Sequence, residues 1–121
     1  MFPLDRLAVY GQARTLAAEC HRLGDAMPDR DLRSQLVRSA RSIPANLAEG
    51  AASESQANFA RHIAIAIASA RETTCHLSLA EDARLLTPAQ CAASRAQLDA
   101  LIPRLVRLLQ AVRSNAKRRT T

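Results

Sequence analysis

Three cysteines and three histidines are the side chains of this chain best suited to metal or nucleophile chemistry, and their spacing argues against both. Cys20 precedes His21 and Cys75 precedes His76, while His62 stands apart. Adjacent side chains on a helix point about 100° apart, so neither pair grips one zinc ion, and no Cys-x-x-Cys or His-x-x-x-His occurs. The same angle separates a cysteine nucleophile from a histidine base, and there is neither a Gly-rich phosphate loop nor a nucleophile elbow. Glu81 and Asp82 are also adjacent and read as a solvated helix face rather than a paired acid and base. The expectation is a protein without metal, cofactor or catalytic set. The cysteines, odd in number and widely spaced, imply no disulfide framework and read as small core residues.

The segment RSIPANLAEG, Arg41 to Gly50, is the least ordinary stretch. Pro44 sits inside a helical pattern, which costs about 3 kcal/mol unless the bend is used, so a kink in this helix is expected. Ser42, Asn46 and Glu49 follow i, i+4, i+7 spacing and form a polar stripe beside the apolar one. Ser69 and Glu72, three apart, offer matching partners on the next helix, which predicts an interhelical hydrogen-bond network. Its structural reading is that it fixes helix register and satisfies the carbonyl freed by Pro44; a binding role is the alternative.

Charge supplies the other functional signal. The formal net charge is +6, from 17 Lys and Arg against 11 Asp and Glu. All of that excess lies after residue 100, in a stretch that carries basic side chains and no acidic one, ending in Lys117, Arg118 and Arg119. Such asymmetry points to a polyanionic partner, nucleic acid before membrane, although enrichment in Ala and Arg is also what a GC-rich coding bias produces. With Phe2, Tyr10 and Phe59 as the only aromatic residues, base stacking is excluded as the main binding mode.

Helices must position these residues. At 121 residues the chain supports one domain, and 48% apolar with 23% charged residues is a globular balance. Apolar spacing predicts a first helix from Leu4, stopped near Gly24 and Pro28. A second is capped by Asp29, carries Leu32, Leu36, Ala40, Ile43 and Leu47 on one face, and is closed by Gly50. A third follows a Ser53/Gln56 capping box, runs through Phe59, Ile63 and Ile67 toward Leu86, and reads as the longest. Ile63, Ile65 and Ile67 alternate as a strand would, but alanines between them and the absence of flanking turn residues favour helix. Thr87, Pro88 and Gln90 start a fourth, with a stripe from Leu98 to Val112, a kink expected at Pro103, and a basic tail over 114–121 expected to fray. Short connections then predict an all-α, antiparallel up-down-up-down four-helix bundle over 1–121. Ile65 and Leu79 fall off the main stripe of the third helix, and Leu108 and Leu109 point different ways, which suggests subunit contacts. No secretory signal or membrane-spanning run is evident, so a cytoplasmic location is expected.

The run QLVRSARSIPANLAEG, Gln35 to Gly50, closely resembles the signature of the bacterial four-helix bundle family associated with 23S rRNA intervening sequences, approximately QLRRAAxSIPxNIAEG. Gln35, Leu36, Arg38, Ala40, Ser42, Ile43, Pro44, Asn46, Ala48, Glu49 and Gly50 carry the match. Pro28, Phe59, Ala66, Ser69 and Glu72 sit where the family places similar residues. Val37 replaces a usual arginine, and Ala68 and Ala70 replace a usual Gly and Leu. The resemblance implies a small bundle that assembles as a ring-like homopentamer, similar to the accessory protein of diversity-generating retroelements, which binds nucleic acid and a reverse transcriptase. It carries no catalytic residues over.

Together these readings predict a non-enzymatic, oligomeric protein that holds RNA or DNA backbones through cations. The candidate contacts are Arg33, Arg38 and Arg41 on the second helix and Arg113, Lys117, Arg118 and Arg119 at the carboxyl end, though Arg38 and Arg41 could instead pair with acidic groups such as Asp31. The candidate structural polar motif is Ser42, Pro44, Asn46, Glu49, Gly50, Ser69 and Glu72. The competing reading is a scaffold that docks a partner enzyme such as a reverse transcriptase, with incidental charge.

Overall fold

The computed structural model describes residues 7–120, with side chains described through 118. Four helices follow in order: α1 (Ala8–Asp25), α2 (Arg30–Ala52), α3 (Gln56–Asp82) and α4 (Pro88–Thr120). The start expected at Leu4 lies outside the described residues. Local chemistry accounts for most boundaries. Asp29 Oδ1 accepts from the Leu32 N–H at 2.9 Å and caps α2. Thr87 and Gln90 form a reciprocal capping box, Gln90 N–H to Thr87 Oγ1 at 3.1 Å and Thr87 N–H to Gln90 Oε1 at 2.8 Å.

Several boundaries differ from expectation. Ser55, not Ser53, caps α3, accepting from the Asn58 N–H at 3.2 Å, while Ser53 turns its hydroxyl to the N–H of Ser55. Gly50 does not close α2, which continues to Ala52, whereas α1 stops at Asp25, between Gly24 and Pro28 as expected, although no glycine takes the positive φ of a glycine cap. Both glycines instead mark close helix approach. A Cβ on Gly50 would lie 2.7 Å from His62 Cβ and 3.0 Å from Phe59 Cδ1, and one on Gly24 would lie 2.9 Å from Val37 Cγ2. α4, with 33 residues, is the longest helix, not α3 with 27. The tail expected to fray is helical through Thr120, because Ala, Lys and Arg are good helix formers and nothing after Pro103 interrupts them. Both Pro44 and Pro103 lie within unbroken helices.

Each helix packs on two neighbours, α1 on α2 and α4, α3 on α2 and α4, and the backbones of the diagonal pairs stand further apart. Between α2 and α3 the partners run Ser39 with Thr73, Ser42 with Ser69 and Asn46 with His62, so the two helices are antiparallel. Likewise Arg95 meets Ser78 and Glu81 near one end of α3, whereas Arg113 and Ala116 face Ala57 to Ala64 at the other. Leu16, Leu36, Ile43, Leu47, Ile63, Leu77, Leu98 and Leu105 are fully buried at the centre. Ala13, Ala40, Ala66, Ala70 and Ala80 are equally enclosed and let the helix axes approach, although each alanine buries little apolar area.

Candidate nucleic-acid interface

A polar seam runs between α2 and α3, built from hydroxyls at helical spacing. Thr73 Oγ1 shares its proton between Ser39 Oγ at 3.0 Å and the Ser69 carbonyl at 2.8 Å, and Ser39 donates to the Leu36 carbonyl at 3.1 Å. Ser69 Oγ donates to Ser42 Oγ at 2.9 Å. Asn46 Nδ2 donates to the Ser42 carbonyl and hydroxyl, both at 2.9 Å, and its Oδ1 lies 3.0 Å from His62 Nδ1. Arg61 Nη2 reaches His62 Nε2 at 3.2 Å.

These contacts determine the histidine's proton. A carbonyl only accepts, so the Asn46 amide must present nitrogen to Ser42 and oxygen to His62. His62 Nδ1 therefore carries hydrogen and donates. A guanidinium only donates, so Nε2 must accept from Arg61. Both demands are met by one form, the neutral Nδ1–H imidazole, in a residue buried to 5% exposure.

The structure thus brings Ser42 and Ser69 together, as the spacing predicted, and separates other members of the predicted motif. Glu49 and Glu72 are exposed, and neither bonds to the seam. The seam also leaves the Ala40 carbonyl, the one freed by Pro44, without a side-chain donor from it. Asn46 reaches back four residues to Ser42, and Ala40 is two positions too early. Sequence reasoning missed Ser39, His62, Thr73 and Arg61. The legible signal was the periodicity itself: Ser39, Ser42 and Asn46 fall at i, i+3, i+7, and His62, Ser69 and Thr73 at i, i+7, i+11.

The candidate cations fall in three places. Arg33 is half-buried at the α1–α2 end, beside a hollow it shares with His21, Asp25, Ser34 and Val37. Arg38 and Arg41 are exposed and line an open groove of about 370 Å³ with Ser42 and Ala45. Arg38 also borders a second groove, about 280 Å³, reaching Gln35, Ser39, Ser69, Glu72 and His76. The ion pairs among the described residues are Arg22 with Glu19 at 2.7 Å and Arg95 with Glu81 at 2.8 Å, so Asp31 neutralises neither Arg38 nor Arg41. Arg113 lies in a third place, the α3–α4 groove. Lys117 and Arg118 are exposed further along α4, and the Arg119 side chain lies outside the described residues.

Among the described residues no three His, Cys, Asp or Glu side chains cluster to hold a metal ion. Burial pushes the Cys20 and Cys91 thiols up to about 11, away from the thiolate that a nucleophile needs. No described helix is long and apolar enough to cross a membrane.

Comparison with solved structures finds a crystal structure of a protein with unknown function from the S23 ribosomal protein family of Bacteroides thetaiotaomicron. The match has a TM-score of 0.78 and 23% sequence identity, and covers 84% of this chain and 98% of that one. That likeness establishes the four-helix fold. No curated protein matches the chain. Residues 5–107 match the family described as 23S rRNA-intervening sequence protein. Because that span includes the seam, Arg38, Arg41 and all but the last turns of α4, the chain belongs to the 23S rRNA-intervening sequence protein family.

Proposed function

We propose that this protein is a non-enzymatic, oligomeric nucleic-acid-binding protein that grips RNA or DNA backbones through arginine rather than reading bases. One observation carries the reading: Arg38 and Arg41 flank an open groove whose lining holds no carboxylate, and neither is in an ion pair among the described residues. The cationic end of α4 adds a second positive region, and Arg is suited to phosphate oxygens. Three unpaired cysteines suit a reducing, cytoplasmic setting. Assembly, as a homopentamer in line with the family resemblance, is supported by Ile65 and Leu79 on α3, 36% and 44% exposed despite their size.

The test is a titration of labelled structured RNA and duplex DNA across a salt series by fluorescence anisotropy, with sedimentation equilibrium for subunit number. Copurified nucleic acid must be removed first, since a chain with no Trp and one Tyr hardly absorbs at 280 nm. The reading expects affinity that falls steeply with salt. Absence of binding at low salt overturns it and turns the search to a scaffold that docks a partner enzyme.

A further inference from the structure

We propose that the groove bordering the seam between α2 and α3 is a ribose subsite, in which the Glu72 carboxylate accepts the 2′-hydroxyl proton of RNA while Arg38 and Arg41 hold neighbouring phosphates. The proposal rests on the backbone-binding reading and deepens it, from nucleic acid in general to RNA.

The groove has a volume of about 280 Å³ and a wall on each helix. Arg38 and Ser42, four residues apart, line it from α2, and Ser69, Glu72 and His76, at i, i+3, i+7, line it from α3. The bonds of Ser69 to Ser42 at 2.9 Å and Thr73 to Ser39 at 3.0 Å hold the two walls in register. Arg38 and Ser42 also line the cationic hollow of Arg41 and Ala45, so the two hollows adjoin and a phosphate in one lies next to a sugar in the other. Arg38 and Glu72 border the same groove without forming an ion pair, which leaves both charges for a ligand.

Two further polar groups on this groove lack a partner on the chain. Ser42 Oγ accepts from Asn46 Nδ2 and from Ser69 Oγ, both at 2.9 Å, and its own proton has no acceptor among the described residues. Two hydroxyls that share one bond leave one proton over whichever of them donates, and both line the groove. A hydroxyl that already accepts is a strengthened donor. His76 Nδ1 is buried without a hydrogen-bond partner. The groove therefore asks for a ligand that both donates and accepts, and the carboxylate decides which. The sugar–phosphate backbone of DNA offers acceptors alone, whereas RNA adds the 2′-hydroxyl, a donor as well as an acceptor. Beside DNA, Glu72 meets lone pairs and negative charge and repels; beside RNA it has a proton to accept.

The experiment titrates the unmodified protein, Glu72→Ala and Arg38→Gln against labelled duplexes of one sequence made of RNA, 2′-fluoro RNA and DNA, over a salt series. The 2′-fluoro duplex keeps the A-form and lacks the 2′ proton, so it separates recognition of the hydroxyl from recognition of helix shape. The unmodified protein is expected to bind RNA about tenfold more tightly than 2′-fluoro RNA, the worth of one hydrogen bond to a charged group. Glu72→Ala is expected to bring that ratio to about one and to raise affinity for 2′-fluoro RNA and DNA, because a repelling charge is removed. A merely structural role would lower affinity for all three duplexes alike. Arg38→Gln is expected to weaken all three about tenfold and to flatten the salt slope by about one, since the phosphate it holds is common to them. Equal affinity for RNA and 2′-fluoro RNA overturns the ribose subsite and leaves the proposed function standing, and so does a preference for RNA that survives Glu72→Ala. Absence of binding to every duplex at low salt overturns both.

Discussion

Gly50 illustrates how one residue is constrained by the atoms it faces. The Cβ of an alanine there would lie 2.7 Å from His62 Cβ, which is anchored to the α3 backbone and cannot swing away. Gly50→Ala gains about 1 kcal/mol of helix propensity but must separate α2 from α3. Overpacking of this kind costs about 1–3 kcal/mol and more where polar contacts part with it, so a net loss is expected in urea unfolding. The cysteines offer a second residue-level prediction. Cys75 is exposed, whereas Cys20 and Cys91 are buried with thiols raised to about 11 from 9.0, so native protein should show one fast-reacting thiol and unfolded protein three. Raised thiol values also carry a sign. Their contribution is complete below pH 9, where both states hold the proton, and is lost as pH rises toward 11, by up to about 3 kcal/mol per thiol. Melting curves from pH 8 to 10.5 should therefore shift downward. At this scale the sequence was readable where spacing alone decided a contact, as for Ser42 and Ser69. It was unreadable for His62 and Arg61, whose roles depend on which tautomer and which side chain meet across two helices.

At the scale of elements, all four helices were legible because apolar spacing and caps such as Asp29 and Thr87 agreed with each other. Their ends were harder to read, since a helical glycine that permits close packing and a glycine that terminates a helix are identical in sequence. The α3 terminus shows the converse. Arg84 takes φ of 60°, and the N–H groups of Arg84 and Leu85 close onto the Glu81 and Ala80 carbonyls in a Schellman arrangement that normally uses glycine. An L-residue in that conformation costs about 1 kcal/mol or more. Arg84→Gly is accordingly expected to stabilise the protein by about 0.5–1 kcal/mol, a rise of a few degrees in Tm by calorimetry, without altering oligomeric state.

For the whole molecule, the sequence announced one helical domain and a positive excess confined to its carboxyl end. It could not announce where that end lies relative to the other helices, because Arg113 and Ala116 come to line a groove with Ala57, Ala60 and Ala64 only through α4 returning along α3. Truncation after Val112 removes Arg113, Lys117 and Arg118 along with the remaining tail. It is expected to lower polyanion affinity by at least tenfold while leaving the oligomeric state unchanged, since it removes four of the six basic residues after residue 100 that supply the excess charge. Unchanged affinity would move the binding surface away from the end of α4, toward Arg33, Arg38 and Arg41 on α2.

The seam also bears on which fold is reached, apart from how stable it is. Two helix faces rich in alanine are nearly smooth, so a pair displaced by one turn buries almost the same area, and many such decoys lie close in energy. Hydroxyl, amide and imidazole groups have no such tolerance: slide α3 past α2 by about 5.4 Å and Asn46, Ser42 and Ser39 face carbon instead of their partners. A chain this poor in large, shape-specific side chains gains its uniqueness from a few polar atoms. Replacing Ser42, Asn46, Ser69 and His62 together with apolar residues of similar volume should leave a helical, compact protein with poorly dispersed NMR spectra.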